Sequence, residues 1–259
     1  MLAPIINSAS DDFLDDPVAL RRKNASFFAT SKKIKICQTA DLAYAPSEEI
    51  GSVQYAIFDF GNEELGPSQI LNAQEESGLC SRVFLSPKTR PLDLKVRYGC
   101  LETNGPDVLI HLEKPCSFSL LCFDRPLFQV SMTKSSVTSR IGSIKHFAGF
   151  CEEKFGVFDF EDKLKYLIYA PCQAATCFAK APCVSCKNLE MQIIDSEEKE
   201  VGKLARKVNP EISCLRQRAD ELILELGFAE SVEERALLIA AALAVDIIAL
   251  RRRREPFPK

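Results

Sequence analysis

Four cysteines lie close enough in this sequence to act as a group: Cys172, Cys177, Cys183 and Cys186. Cys183 and Cys186 are separated by two residues, which is the spacing of half a zinc knuckle, and zinc binds cysteine thiolates well. The other pair is spaced more loosely. We therefore regard zinc as the least favoured interpretation, behind ordinary reduced cysteines and cysteines that carry an acyl chain.

The N-terminal residues indicate which redox state to expect for the eleven cysteines, because an export signal would direct them to an oxidising compartment. These residues have no basic segment and soon reach Asp11, Asp12, Asp15 and Asp16, so they do not resemble a secretory signal peptide. We expect a reducing compartment, in which structural disulfides are rare.

Residues that could make or break bonds are few. The chain has two histidines, His111 and His146, and no nucleophile elbow, P-loop or dinucleotide-binding fingerprint. A net charge of −3 gives no general electrostatic reason to bind nucleic acid, although four consecutive arginines begin at Arg251. We predict neither an enzyme nor a nucleic-acid-binding protein.

The most apolar part of the chain is residues 232–250. Residues 236–245 include no polar side chain, so a helix here would be apolar on every face and would need a bilayer or a protein core around it. The strictly apolar part is shorter than the roughly 20 residues of a bilayer span. Asp246 inside a bilayer would add about 2.5–3.5 kcal/mol. A core helix is favoured, and a membrane span stays open as the alternative.

Much of the preceding chain has the alternation of β-strands. Leu92, Leu94 and Val96 alternate with charged residues, and similar patterns recur around residues 55–60, 108–112, 164–168 and 189–193. Short strands broken by turn residues predict a closed or sandwiched antiparallel sheet, and the lumen of a closed barrel could hold the helix. We predict a loosely ordered leader at residues 1–33, a mainly β barrel at 34–250 with its central helix at 232–250, and a basic tail at 251–259.

Motifs in the same order resemble those of the phospholipid scramblases. Residues 218–248 resemble the family's C-terminal segment, in which Asp-Ala-Asp-x-Phe precedes a hydrophobic helix that ends in Leu-Ile-Asp-Phe, and Asp246 matches the last aspartate. Val-Gly-Lys-Leu at 201–204, Ala-Pro-Cys at 170–172, Leu-Glu-Lys-Pro at 112–115 and Arg-Pro at 90–91 resemble other family motifs. The resemblance covers residues 35–250 and implies a Tubby-like barrel of about twelve antiparallel strands around a C-terminal helix.

The resemblance implies calcium-linked, non-selective movement of phospholipids between membrane leaflets. It places a calcium-binding segment just before the helix, where the candidate ligands are Asp220, Glu221, Glu225 and Glu230. The chain departs from the family here, because Arg218 replaces the first aspartate and Ala229 and Ser231 replace two later ones. A solvated acidic connection is therefore favoured over a weak or altered calcium site.

The resemblance also implies palmitoylation of a cysteine-rich stretch. Cys122 matches that stretch, and the four clustered cysteines are further candidates. One acyl chain binds a membrane only marginally. A second signal could come from the attraction of an anionic inner leaflet for basic side chains, at about 1 kcal/mol each. The residues that would supply it are Arg251, Arg252, Arg253 and Arg254.

These features predict a protein on the cytoplasmic face of the plasma membrane or of another membrane, with phospholipids as partners. Self-association and a nuclear pool stay open. The alternative prediction is a non-transporting, membrane-associated barrel that binds lipid or protein. If the helix fills the barrel, Asp246 should have a buried partner in the wall, because an unpaired buried carboxylate is costly.

Overall fold

A computed structural model describes residues 30–39, 53–60, 68–78, 89–99, 108–116, 126–134, 136–148, 153–170, 188–208 and 220–250. The strands are β1 (Lys33–Thr39), β2 (Gln54–Asp59), β3 (Ser68–Glu75), β4 (Leu92–Tyr98), β5 (Val108–Lys114), β6 (Leu127–Lys134), β7 (Val137–Ala148), β8 (Glu153–Asp159), β9 (Leu164–Ala170), β10 (Asn188–Asp195), β11 (Glu200–Val208) and β12 (Asp220–Glu225). The helix α1 (Val232–Val245) follows, and a π-helical turn (Asp246–Leu250) continues it.

The twelve strands form a closed antiparallel barrel. Each strand pairs with its neighbours in the sequence, and β1 pairs with β12 to close the ring. Ile34 lies opposite Leu224 in the closing pair, and Ile36 lies opposite Leu222. Closure leaves no unpaired strand edge. The predicted mainly β fold, a closed barrel of about twelve strands with a C-terminal helix, is confirmed.

Alternation along the strands directs one row of apolar side chains into the barrel. In β4, Leu92, Leu94 and Val96 are at most 1% exposed, whereas the charged residues between them lie on the outer wall. Equivalent rows from the other strands join the residues of α1 in one hydrophobic core. The helix therefore fills the lumen, as the apolar sequence of residues 236–245 predicted.

The start of α1 is fixed by a capping box. The Ser231 hydroxyl accepts a hydrogen bond from the backbone N–H of Glu234 at 3.1 Å, and the Glu234 carboxylate accepts one from the N–H of Ser231 at 3.4 Å. Residues 236–245 are at most 3% exposed, so the core interpretation of this helix is confirmed. No helix in the described part of the chain is long and apolar enough to cross a membrane. Residues 246–250 form a π-helical turn instead of continuing the α-helix, and no sequence signal predicted this change.

The two ends of the barrel are named here after the ends of α1. At the N-rim, where α1 begins, odd-numbered strands begin and even-numbered strands end, and Lys134 of β6 forms an ion pair with Glu233 of α1. At the C-rim, where α1 ends, the strand directions are reversed, and Tyr55 of β2 contacts Asp246. The described elements that end at the C-rim are therefore followed there by the segments 117–125, 171–187, 209–219 and 251–259.

Residues 31 and 32, just before β1, are hydrogen-bonded to the N-rim. The carbonyl of Ser31 accepts a hydrogen bond from the Arg235 guanidinium at 2.8 Å, and that of Lys32 accepts one from the N–H of Leu226 at 2.8 Å. These bonds join residues 31 and 32 to the N-rim, because the first turn of α1 and the end of β12 both present donors there.

Candidate functional site at the C-rim

A buried polar contact holds the end of α1 to the barrel wall at the C-rim. The Tyr55 hydroxyl donates a hydrogen bond to the Asp246 carboxylate over 2.7 Å. Tyr55 is 1% exposed and Asp246 is 7% exposed. Tyr55 is thus the wall partner that a buried Asp246 requires, since a carboxylate taken out of water without a donor is strongly destabilising.

A second group of buried charges lies at the same rim and is called the rim cluster here: Glu75, Arg90 and Lys114. Each is at most 3% exposed. The Arg90 guanidinium lies 2.7 Å from the Glu75 carboxylate, and the Lys114 ammonium donates a hydrogen bond to the carbonyl of Arg90. The pKa of Lys114 is lowered to about 8, chiefly by burial; Cys116 opposes this shift and the positive charge of Arg90 adds to it. The cluster joins the end of β3, the start of β4 and the end of β5.

A cavity of about 270 Å³ lies beside the rim cluster, and Ser77, Leu92, Asp93, Glu113 and Lys114 are among its lining residues. Glu76, also in the lining, accepts hydrogen bonds from Lys95 and Arg97 at 2.5 Å each. These two bonds lower the pKa of Glu76. Three carboxylates, those of Glu76, Asp93 and Glu113, therefore line the cavity together with the buried Lys114.

The C-rim contains one more buried ionisable pair. His146, near the end of β7, is 1% exposed, and its Nε2 atom lies 2.5 Å from the Glu153 carboxylate at the start of β8. Its ring stacks on Phe155 with 4.6 Å between centroids. Among the described residues, every buried charged or histidine side chain except Arg235 therefore lies at the C-rim. Buried ionisable groups concentrate at functional sites, so the C-rim is the candidate site.

The structure does not bring the predicted calcium ligands together. Asp220 begins β12 at the C-rim, and Glu225 ends it at the N-rim, which separates their backbones by roughly 17 Å. Glu221 forms an ion pair with Lys35 at 2.5 Å on the outer wall, and Glu225 lies opposite Lys33. Glu230 is exposed beyond the N-rim end of β12. These four residues cannot surround one ion in this arrangement, because calcium ligands lie 2.3–2.6 Å from the metal.

No group of three or more His, Cys, Asp or Glu side chains suited to a metal ion is present among the residues that the structure describes. Cys122, Cys172, Cys177, Cys183 and Cys186 lie outside the described residues, as do Arg251, Arg252, Arg253 and Arg254. The described residues that flank them all lie at the C-rim. Cys116 and Pro126 flank the segment with Cys122, Ala170 precedes the four-cysteine segment, and Leu250 precedes the arginines.

The scramblase family model matches residues 52–251. The chain belongs to the scramblase family. The resemblance drawn from the motifs is thereby confirmed over most of the chain, and it indicates a lipid translocator rather than an enzyme. No solved structure matches the chain.

Sequence reasoning missed the rim cluster, although its signal is present. Glu75 continues the inward row of Leu71 and Ala73, and Lys114 continues that of Ile110 and Leu112. A charged residue at an inward position near a strand end is the pattern that would have predicted it. In this scramblase the rim cluster places fixed charges at the C-rim of a barrel whose core is apolar.

Proposed function

We propose that this scramblase moves phospholipids between the two leaflets of a membrane, without lipid selectivity and in response to calcium, with its C-rim against the cytoplasmic leaflet. One observation carries the proposal beyond family membership. The three segments predicted to contact the membrane, residues 117–125, 171–187 and 251–259, all join the fold at the C-rim. The buried charges of the fold also concentrate there.

Attachment at this rim would combine two weak signals. Acyl chains on Cys122 or on the cysteines at 172–186 would supply apolar anchoring, and one chain alone binds a membrane marginally. The arginines at 251–254 would add roughly 4 kcal/mol if all four approached an anionic leaflet, at about 1 kcal/mol each. Both signals would act together on one membrane surface, because the segments that carry them join the described fold at the C-rim.

The calcium response in this proposal comes from the family resemblance alone. The separation of Asp220 from Glu225, and the pairing of Glu221 with Lys35, support no single site formed by the four candidate residues. A calcium response would therefore need ligands from another part of the chain or from lipid headgroups. For this reason calcium is titrated as a variable in the experiment below.

The test uses the full chain in liposomes that contain a labelled phospholipid, with calcium varied from none to saturating. Accelerated exchange between leaflets is expected, and it should fall when the four arginines are changed to alanine. A matched control removes four lysines from the N-rim side, K163A/K165A/K199A/K203A, and so makes the same change in net charge. The control should retain activity. Exchange at the rate of empty liposomes under all calcium concentrations refutes the proposal.

A second candidate function is a non-transporting barrel that binds membranes and has a regulatory role. The enclosure of α1 favours it, because residues 236–245 are at most 3% exposed and Asp246 is bonded to the wall. This candidate predicts vesicle binding that depends on the arginines but no exchange of lipid. The same liposome experiment, with a sedimentation measurement of binding, separates the two functions.

A further inference from the structure

One section of the outer wall of the barrel, across β7, β8 and β9, carries aromatic rings and lysines in contact with one another. The register places Phe147 opposite Lys154 and Lys154 opposite Tyr169, so these three side chains form a row across the strands. The Lys154 ammonium lies 5.2 Å from the centroid of the Tyr169 ring. The centroids of the Phe147 and Phe158 rings are 6.4 Å apart, and the Lys145 ammonium lies 4.7 Å from that of Phe158. These five residues are called the aromatic wall here.

Gly156 explains why two of the rings lie against the strand. Phe155 and Val157, on either side of it, belong to the hydrophobic core, so Gly156 is on the outer face of β8. A Cβ at this position would be 2.7 Å from a ring atom of Phe147 and 2.8 Å from one of Phe158. A glycine in a strand allows such a close approach. The two rings therefore pack on the backbone of β8, and both remain partly exposed on the outside of the barrel.

The basic side chains of this wall have different partners from those of β4. On the outer face of β4, Lys95 and Arg97 both donate hydrogen bonds to Glu76 at 2.5 Å. Lys145 lies over an aromatic ring instead, and it forms no ion pair with a carboxylate in the described part of the chain. The charge of Lys145 can therefore pair with a negative group outside the chain, whereas Lys95 and Arg97 are already paired within it.

The charge of the aromatic wall indicates what it binds. Residues 143–147, 154–158 and 167–169 contain two lysines and no acidic residue, which gives +2. A second copy of this chain on the same face, about a two-fold axis, would bring these like charges together. The phosphates of an anionic leaflet have the complementary charge. Aromatic rings beside long basic side chains are also typical of the headgroup region of a membrane.

The aromatic wall reaches the rim that is proposed to face the membrane. Tyr169 is the next-to-last residue of β9, and residues 171–187 follow β9 at the C-rim. Phe147 is the next-to-last residue of β7, which ends at the same rim. The aromatic wall is thus continuous with the end of the barrel where the four-cysteine segment begins.

We propose that the aromatic wall lies against the headgroup region of an anionic phospholipid leaflet, so that the barrel leans on β7–β9 instead of standing upright on its C-rim. The proposal rests on the membrane attachment in the proposed function and adds to it the side of the barrel that makes contact. In this orientation Lys145 meets lipid phosphate, and the rings of Phe147 and Tyr169 enter the headgroup layer. The opposite wall, formed by β1–β3, faces away from the membrane.

The first test uses fluorescence, because the chain has no tryptophan and a single introduced one reports on its own position. Tyr169→Trp places it on the aromatic wall. Gln74→Trp is the matched control, because Gln74 is also a next-to-last residue at the C-rim and β3 lies six strands from β9 in the ring of twelve. Vesicles of phosphatidylcholine and phosphatidylserine with brominated acyl chains should quench Tyr169→Trp more strongly than Gln74→Trp. Equal quenching means an upright barrel and overturns the proposal.

The second test measures vesicle binding by sedimentation of the full chain. Lys145→Gln should weaken binding to vesicles that contain phosphatidylserine about fivefold, because one basic contact with the leaflet is lost. Lys35→Gln is the matched control, since it removes the same charge from β1, six strands from β7. It should leave binding unchanged, because a charge on the far side of the barrel is screened from the leaflet.

The outcomes separate this proposal from the proposed function. If the four-arginine variant loses vesicle binding but the two walls do not differ in either test, the proposed function stands and the leaning orientation is refuted. If the walls differ as expected but the vesicles show no lipid exchange, the contact is supported and transport is refuted. An emission shift of Tyr169→Trp with protein concentration, without lipid, would show that the wall binds another copy and would also overturn the proposal.

Discussion

Replacing Tyr55 by phenylalanine tests whether one hydrogen bond secures the end of α1 in the barrel. The substitution removes only the hydroxyl that donates to Asp246 over 2.7 Å, and it leaves the ring in the core. A hydrogen bond to a charged group contributes about 1.5–3 kcal/mol, and both residues are at most 7% exposed. We therefore expect Tyr55→Phe to lower the free energy of unfolding by about 2 kcal/mol. That loss corresponds to a decrease in Tm of about 4–8 °C for a domain of this size.

A double-mutant cycle separates this bond from general disturbance of the core. Asp246→Leu leaves the Tyr55 hydroxyl without this acceptor, whereas Tyr55→Phe combined with Asp246→Leu removes both partners. The double variant should be more stable than the sum of the single losses predicts, by at least about 1 kcal/mol, because unsatisfied buried groups account for much of each single loss. Urea titrations of the four proteins measure the difference.

The control is Tyr98→Phe, the same chemical change at a tyrosine that packs against the core but whose hydroxyl makes no hydrogen bond to another described residue. It should change stability by less than about 0.5 kcal/mol. A loss in Tyr98→Phe equal to that in Tyr55→Phe would mean that the ring packing, not the bond, was altered. Additive losses in the cycle would show that Tyr55 and Asp246 are not energetically coupled and would refute the reasoning.

Three further predictions concern stability and use urea titration. Between about pH 8 and 10.5, the lowered pKa of Lys114 makes the unfolded chain bind more protons than the folded chain. The difference in free energy of unfolding between the wild type and Lys114→Met should therefore increase in favour of the wild type as pH rises through this range. A difference that does not change with pH contradicts this. Ser231→Ala should lower the free energy of unfolding by about 1 kcal/mol through loss of the helix cap, and Ser196→Ala should not. Gly142→Ala should be destabilising by about 1–3 kcal/mol, because its Cβ would lie 2.1 Å from the carbonyl oxygen of Phe158. Gly78→Ala is the control, because its Cβ would meet nothing within 4 Å. Equal effects of the two substitutions would contradict the close packing at Gly142.

The parts of the fold that were predictable from sequence are those with a strong local pattern. The alternation of residues 92–98 predicted β4, and the unbroken apolar run of 236–245 predicted a helix enclosed on all sides. Neither inference needed a contact between distant residues. A strand that is buried on one face and a helix that is buried on every face each have a recognisable pattern within a few consecutive residues. Family motifs then supplied the number of strands and the closed topology.

The contacts that could not be predicted join residues far apart in the chain. Tyr55 and Asp246 are separated by 191 positions, and no property of Tyr55 in its own strand distinguishes it from an ordinary core tyrosine. The placement of the acidic segment was not predictable either, because it depends on an extended strand that puts Asp220 and Glu225 at opposite rims.

The enclosure of α1 limits how this scramblase could act on lipid. Five large apolar side chains of residues 236–245 are buried, and burying each stabilises the fold by about 1.5–3 kcal/mol, which gives roughly 8–15 kcal/mol in total. That sum is comparable with the whole stability of a typical domain. Moving α1 into a bilayer would also expose the inward strand residues that pack with it in the hydrophobic core. We therefore expect the helix and the barrel to act as one unit, so that any contact with lipid is made by the outside of the barrel or by its rims.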